Sequence, residues 1–434
     1  MKEKTPFFYS GMTVPFVLLV TCFAAWGIAA NMTDPLVNVF SKIFSMSALQ
    51  SAFVQFAYYG AYFLLALPAA FITRRYSYKT GVLVGLGLAA VGAFMFYPAS
   101  IWMTYGPFLA ALFVLAAGLS VLETSANPFV IAMGPEENST RRLNFAQSFN
   151  PVGTNIGVLL AATLILPQLN PASQSERAEM APERLEQIQQ AELSAVMTPY
   201  VGMACLLVLI WIGIALSKVP KTRDDEAGIS TLDFRPTIKR LMKNRHYRFG
   251  VIAQFFNVAA QTCTWTFTIQ YSQAAIGASE SEGGAWLQAS LIVFLISRFV
   301  MTYLLGFFRP SLLLSAMAVL GVVLCLYAVL VPNLSGVIAV IGLSLCLSLM
   351  FPTIYGIALE GLGEDTKFGA AGLVMAILGG ALLPLVHGAT MDAFGATTAY
   401  IVPAVCFALV AAYGIFDLSV SRRKHGGRVL GTEG

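Results

Sequence analysis

"GLSVLETSANPFVIAMGPEENSTRRLNFAQSFNPVG", residues Gly118 to Gly153, opens as an apolar run, turns over a short charged segment and enters a second run crowded with amides. The first run carries a glutamate, Glu123, with no basic residue near it. Two membrane-spanning helices joined by the hairpin "GPEENSTRR" account for this pattern. A second stretch follows the same plan later in the chain. "MFPTIYGIALEGLG" (Met350–Gly363) leads over "EDTK" into a segment containing "ILGG", and Pro352 stands before Gly379 much as Pro128 stands before Gly153. The repeat predicts two similar halves, with the fourth and fifth spans matching the tenth and eleventh.

Composition agrees. Of the 434 residues, 57% are hydrophobic and 11% charged, whereas a soluble domain carries about 25% charged residues. Apolar windows recur from end to end, each near the ~20 residues a bilayer core requires. They are too long and too uniformly apolar for the alternating strands of a barrel. Twelve windows emerge: 12–41, 49–73, 79–98, 104–133, 142–167, 196–218, 247–275, 284–307, 311–331, 335–360, 367–392 and 397–420. Residues 12–30 lack a clear small-x-small cleavage site and read as a retained first span rather than a signal peptide.

With both termini cytoplasmic, the inner segments hold nearly all Lys and Arg, and the outer loops hold only Lys42, Arg177 and Arg184. The loop 168–195 is acidic and external and has the look of a short surface helix. The loop 219–246 is basic, cytoplasmic and central, so the expected organisation is an N-terminal six-helix bundle (1–218), a linker (219–246) and a C-terminal bundle with a short tail (247–434). The expected fold is an all-α integral membrane protein of twelve transmembrane helices in two six-helix bundles, and parallel six-span repeats are the plan of the major facilitator architecture. The net charge of +4 follows this topology and does not point to nucleic acid. The six cysteines lie in apolar runs without metal-site spacing.

Charge inside a span costs at least ~2.5–3.5 kcal/mol at mid-bilayer and normally faces a cavity. Three such residues stand well inside spans: Asp34, Glu123 and Arg298. Amides surround them at helical spacing. Asn31, Asp34 and Asn38 share a face of the first span, and Glu123 and Asn127 are one turn apart in the fourth. Asn144, Gln147, Pro151 and Asn155 share a face of the fifth, flanked by Asn150. Gln254, Asn257, Gln261, Trp265 and Thr268 line the seventh. Polar faces from both halves suit a central hydrophilic cavity. The alternative is that the amides only join helices. Arg298, low in its span, is expected to bond carbonyls or a nearby acid, and His387 to pack as a neutral ring.

Trp26 and Trp265 occupy corresponding places in the first and seventh spans, and Tyr58, Tyr59 and Tyr62 line or pack the second. Indole stacks on the C–H face of a sugar ring, and amides both donate to and accept from hydroxyls. A neutral polyol therefore fits these residues better than a charged or greasy molecule. No phosphate-binding loop and no His or Cys cluster occurs, so neither an enzyme nor an ATP-driven pump is expected.

The chain resembles the fucose–galactose–glucose branch of the major facilitator superfamily. The pieces that carry the resemblance are "WGIAANMTD" (Trp26–Asp34), "QSAFVQFAYYGAYF", "SYKTG", "LETSANPF" (Leu122–Phe129), "RLNFAQSFNPVG" (Arg142–Gly153), "AQFFNVAAQTCTW" (Ala253–Trp265), "FPTIYGIAL" and "LGEDTKFGAAG". The resemblance implies that Glu123 binds sugar and takes part in proton coupling, with Asp34 as the second protonatable group. It implies that Asn31, Gln147 and Asn150 bond sugar hydroxyls, with Trp26 and Trp265 beside the path; Asn257 and Gln261 complete the candidate set. Phe351 stands where the family's pattern has a tyrosine, which removes one hydroxyl contact.

The expectation is a monomer of the bacterial cytoplasmic membrane that needs no cofactor beyond the proton gradient. It takes up L-fucose or a related neutral hexose by alternating access. Burial raises a carboxyl's proton affinity, so an isolated acid can load and release a proton near neutrality. Sodium coupling, export of amphipathic drugs and sugar sensing are the rival readings. The amide stripes speak against a drug exporter, and the short tail after Val420 against a receptor.

Overall fold

In the computed structural model, residues 5–43, 48–102, 104–170, 172, 176–177, 179–218 and 234–429 are described. Among them the chain is helical, with no strand. The helices are α1 (Thr13–Ile43), α2 (Ala48–Arg75), α3 (Tyr78–Trp102), α4 (Tyr105–Ala132), α5 (Ser139–Gln147), α6 (Phe149–Leu160), α7 (Pro182–Leu216), α8 (Phe234–Lys243), α9 (Arg245–Ile276), α10 (Glu280–Leu304), α11 (Pro310–Leu330), α12 (Leu334–Leu359), α13 (Thr366–Met375), α14 (Gly379–Phe394) and α15 (Ile401–Val429).

Among the described residues, eleven segments are long and apolar enough to cross a membrane. α9 is the twelfth expected span. Its 32 residues reach ~48 Å at 1.5 Å per residue, but its amide stripe dilutes its apolarity. Large apolar side chains on the outside, such as Leu209, Leu216, Ile296, Leu330 and Leu385, are what contact with lipid tails requires.

The chain divides into two compact units. One comprises Phe8–Met133 and Phe149–Ile229. The other comprises Met1–Phe7, Gly134–Ser148 and Ser230–Gly434.

In the first unit, backbones approach closely through small residues, the packing that lipid-immersed helices favour. A Cβ on Gly153 would lie 1.9 Å from the carbonyl oxygen of Ala24, and one on Gly27 would lie 2.1 Å from that of Asn150. α1 and α6 can therefore touch only with glycine at both positions. Gly118 does the same for α4 against Ala89 of α3. Phe96 packs on Tyr200 of α7 with ring centroids 4.8 Å apart.

The external loop and the sixth span differ from expectation. α7 runs unbroken for 35 residues, so the surface helix and the span are one element. A buried ion pair secures its N-terminal part. Arg177 donates to both oxygens of Glu192 at 2.8 and 2.6 Å, and to the carbonyls of Asn170 and Ala172. Glu192 in turn accepts from the backbone of Asn170. The carboxylate holds the Arg177 guanidinium above its ordinary pKa.

In the second unit, Tyr271, Phe294, Leu314, Val340, Leu347 and Phe407 lie in one apolar core. The hairpin segment packs here. Asn144 donates to the hydroxyl of Thr353 at 3.1 Å, the hydroxyls of Ser148 and Thr302 are 3.2 Å apart, and Glu136 accepts from the backbone of Gly361 at 3.0 Å. Arg142, the last residue of the hairpin "GPEENSTRR", is wholly buried. It donates to the carbonyls of Phe7, Gly134 and Pro135.

The fifth and eleventh spans are both interrupted, which the repeat did not reveal. α5 stops at Gln147 and α6 starts at Phe149, and a 3-10 turn at Ala376–Leu378 separates α13 from α14. In the fifth span the cause is Pro151, which has no N–H to give the Gln147 carbonyl. The expected straight face of Asn144, Gln147, Pro151 and Asn155 is thereby divided. The first two fall in the second unit and the last two in the first.

Candidate functional site

In the first unit, α4 carries Glu123 to full burial. Neither carboxyl oxygen has a hydrogen-bond partner among the described residues. One turn earlier, Ser120 donates to the backbone carbonyl of Tyr62 at 3.0 Å, tying α4 to α2. Tyr62 is buried, and its hydroxyl accepts from the indole of Trp26 at 3.0 Å. The ring of Tyr58 lies 5.3 Å from that of Tyr62. Of the three tyrosines considered from sequence, Tyr62 is thus the one that orients Trp26.

Asn31 is half-buried. Its amide nitrogen serves Gly27 and Thr154, at 3.1 and 3.0 Å. The nitrogen of Asn150 points to the carbonyl of Phe23 at 3.4 Å. Both amides therefore spend their donors on the α1–α6 seam. Asp34 lies on α1, and its side chain falls outside the described residues, as does that of Asn38.

In the second unit, Gln254 and Asn257 on α9 are wholly buried. Every amide atom of both lacks a partner among the described residues. Gln261 and Trp265 follow on the same helix, half-buried. The indole of Trp265 donates to Ser344 at 3.0 Å, and its ring meets the edge of Phe294 at 4.9 Å. Ser290 reaches the same Ser344 hydroxyl at 2.6 Å. Gln147, buried at the end of α5, belongs to this unit.

Arg298 departs from expectation. It is buried, its guanidinium sits 5.0 Å from the Phe294 ring, and its Nε and Nη1 meet no acceptor among the described residues. Neither the carbonyls nor the acid expected from its position low in the span are there. His387 packs as expected, stacked on Phe267 at 4.2 Å with Tyr400 at its edge. Both of its nitrogens nevertheless lack partners among the described residues.

The two tryptophans share one arrangement. Each indole N–H is taken by a hydroxyl on a neighbouring helix, and each ring is half-buried. Trp26→Phe should keep the stacking face and lose only its anchor, raising the KM for sugar about five-fold, the worth of one hydrogen bond near 1 kcal/mol. Trp26→Ala should raise it well beyond that. Equal KM values for the two variants would remove Trp26 from the site.

A buried polar atom without a partner is costly, and native structures keep few of them. The first unit leaves a carboxyl open and the second leaves two amides open, and each unit carries one anchored indole; carboxyl and amide groups are of the types that bond hydroxyls. Among the described residues no group of His, Cys, Asp and Glu could hold a metal ion.

This plan, long apolar helices with a buried open carboxyl on α4 and buried open amides on α9, defines a membrane carrier. The chain belongs to the Major Facilitator Superfamily, whose profile matches residues 16–372. It is 39% identical over 412 residues to the L-fucose-proton symporter of Haemophilus influenzae, covering 92% of this chain and 96% of that one. It is 32% identical over 399 residues to the glucose/galactose transporter of Brucella abortus, covering 92% of each. The crystal structure of the E. coli fucose:proton symporter FucP superposes with a TM-score of 0.88 at 36% identity, covering 94% of this chain and 99% of that one.

Proposed function

We propose that this chain carries a neutral sugar together with a proton across the bacterial cytoplasmic membrane by alternating access, with L-fucose or a closely related hexose as substrate. The observation that carries the reading is Glu123, wholly buried with both oxygens unpartnered among the described residues. Such a carboxyl is cheapest to bury when protonated. It can therefore pass through a closed state only with its proton, which ties sugar movement to proton movement.

In this proposal Asp34 is the second protonatable group. Asn31, Gln147, Asn150, Asn257 and Gln261 bond sugar hydroxyls, Glu123 does so as well, and Trp26 and Trp265 stack on the ring. The carrier works as a monomer with two six-helix bundles about the linker 219–246, both termini cytoplasmic, and no cofactor beyond the ion gradient. The similarity to L-fucose-proton symporters supports the substrate class. A second substrate reading, glucose or galactose, is favoured by Phe351, whose half-buried ring offers no hydroxyl and which lies 6.2 Å from Tyr355.

The test is uptake of labelled L-fucose, D-galactose, D-glucose, D-arabinose and gluconate by the purified protein in liposomes under an imposed pH gradient, repeated with a proton ionophore at fixed sodium. Ionophore-sensitive accumulation of L-fucose or galactose is expected. Accumulation that survives the ionophore and follows sodium would refute proton coupling, and preference for gluconate would refute the neutral-sugar site.

A further inference from the structure

α8 is a ten-residue helix lying immediately before the spanning helix α9. Its two sides differ sharply. On the inner side, Thr237 and Leu241 are buried, the Phe234 ring lies 5.7 Å from that of Phe368, and Arg240 at the flank grips both oxygens of Asp365 at 2.8 and 2.6 Å. Rotation by 100° per residue puts Arg235, Lys239, Met242 and Lys243 together on the opposite side, and all four are exposed. Arg245 continues the exposed basic run at the start of α9. Among the described residues none of these cations has an ion-pair partner.

The chain runs from this helix directly into the start of α9. Directly beyond it on α9, Phe249 and Ile252 are exposed, as residues facing lipid tails must be. The Arg248 guanidinium folds over the Phe249 ring at 5.6 Å, a cation at the edge of an apolar surface. The inner side of α8 is fastened by Phe234, Leu241 and Arg240, so the basic side is held in a fixed orientation. An exposed run of Arg235, Lys239, Lys243 and Arg245 immediately before a spanning helix is the kind of basic cluster that anionic headgroups attract.

We propose that the outer face of α8 is a binding site for anionic phospholipid headgroups, with Arg235, Lys239 and Lys243 holding the phosphates and Met242 resting on the upper acyl region. This goes beyond the transport reading and does not depend on which sugar or ion is carried. It needs only that α9 spans the bilayer. The lipid's charge neutralises a strip of α8 whose cations have no ion-pair partner among the described residues. It also pins α8, and through the Arg240–Asp365 pair the segment leading into α13.

The test uses the full-length purified protein, with short-chain phosphatidylglycerol and phosphatidylcholine as probes and native mass spectrometry as the readout. Phosphatidylglycerol should bind more tightly than phosphatidylcholine, and its affinity should fall as salt rises. Each cation near an anionic surface is worth about five-fold, so R235Q/K239Q/K243Q should bind phosphatidylglycerol more weakly by on the order of a hundred-fold, and Arg235→Lys should bind like the parent. A loss of less than tenfold in the triple variant overturns the site, as does displacement of the lipid by inorganic phosphate at equal concentration. Should the triple variant fail to fold, the three single variants replace it, each expected to lose about five-fold; no loss in any of them overturns the site equally.

Discussion

Glu123→Gln should abolish uphill sugar accumulation while leaving sugar exchange largely intact. Glutamine copies the shape of a protonated glutamate and cannot lose a proton. The parent chain must protonate Glu123 before the buried carboxyl, which has no partner among the described residues, can cross the closed state cheaply. The variant is permanently in that neutral form. Each pH unit of gradient is worth about 1.4 kcal/mol, or tenfold in concentration, to a one-proton symporter. Across about two units the parent should therefore approach a hundred-fold accumulation, and the variant should stay near unity. The measurement is the steady-state sugar ratio in proteoliposomes, set beside counterflow of labelled sugar without a gradient. If the variant accumulates like the parent, Glu123 is not the coupling group. If it loses exchange as well as accumulation, Glu123 serves to hold sugar rather than to couple. Asp34→Asn in parallel tests the second acid.

The second large effect concerns folding. Arg177→Met should destabilise the protein by about 3–5 kcal/mol, the usual cost of stranding one member of a buried ion pair. Glu192 would keep its backbone donor from Asn170 but lose both guanidinium contacts while remaining buried. Replacing both partners at once, as R177M/E192L, should restore much of the loss, because no uncompensated charge is left. Thermal unfolding in detergent, followed by size-exclusion retention, reads this directly. A single variant as stable as the parent would show that water reaches Glu192. The double variant should also transport sugar at the parent's rate, since the pair holds the N-terminal part of α7 to Asn170 and Ala172 and bonds none of the candidate sugar-binding residues.

Much of the architecture was legible in the residues. Membrane spans announce themselves through uninterrupted apolarity, a local and additive property. α9 was found as one of those apolar windows too, and its polar residues recur at helical spacing; the structure shows Gln254, Asn257 and Thr268 of that stripe buried. Glu123 stood out because an acid in an apolar run is expensive. The two tryptophans could be noticed but not oriented. Tyr62 lies 36 residues from Trp26, and Ser344 lies 79 from Trp265. A hydroxyl on another helix leaves no mark at that distance in sequence.

Other features appeared only in three dimensions. Arg142 belongs by composition to a cytoplasmic loop, yet it is buried, because the turn at Gly134 and Pro135 and the strand of chain at Phe7 bring carbonyls around it. At the starts of α9 and α11, His246 and Ser311 both reach Asp417 within α15, and no spacing rule joins those three positions. The break after Gln147 had a visible cause in Pro151, but a proline near a helix start is compatible with a helix that continues, so the residues did not decide between the two.

The sequence by itself determined the solvent this protein lives in, the number and order of its spans, and the identity of the carboxyl and amides inside them. Hydropathy and helical periodicity are properties of neighbouring residues, and they survive without knowledge of the fold. The tertiary structure alone decided which of those polar groups are left open and which are consumed by neighbours. It leaves Glu123, Gln254, Asn257 and Arg298 with atoms unpartnered among the described residues, and it commits the amide nitrogens of Asn31 and Asn150 and the indoles of Trp26 and Trp265 to other helices. A hydrogen bond depends on two groups meeting within about 3 Å, and only the packing of distant helices brings them that close.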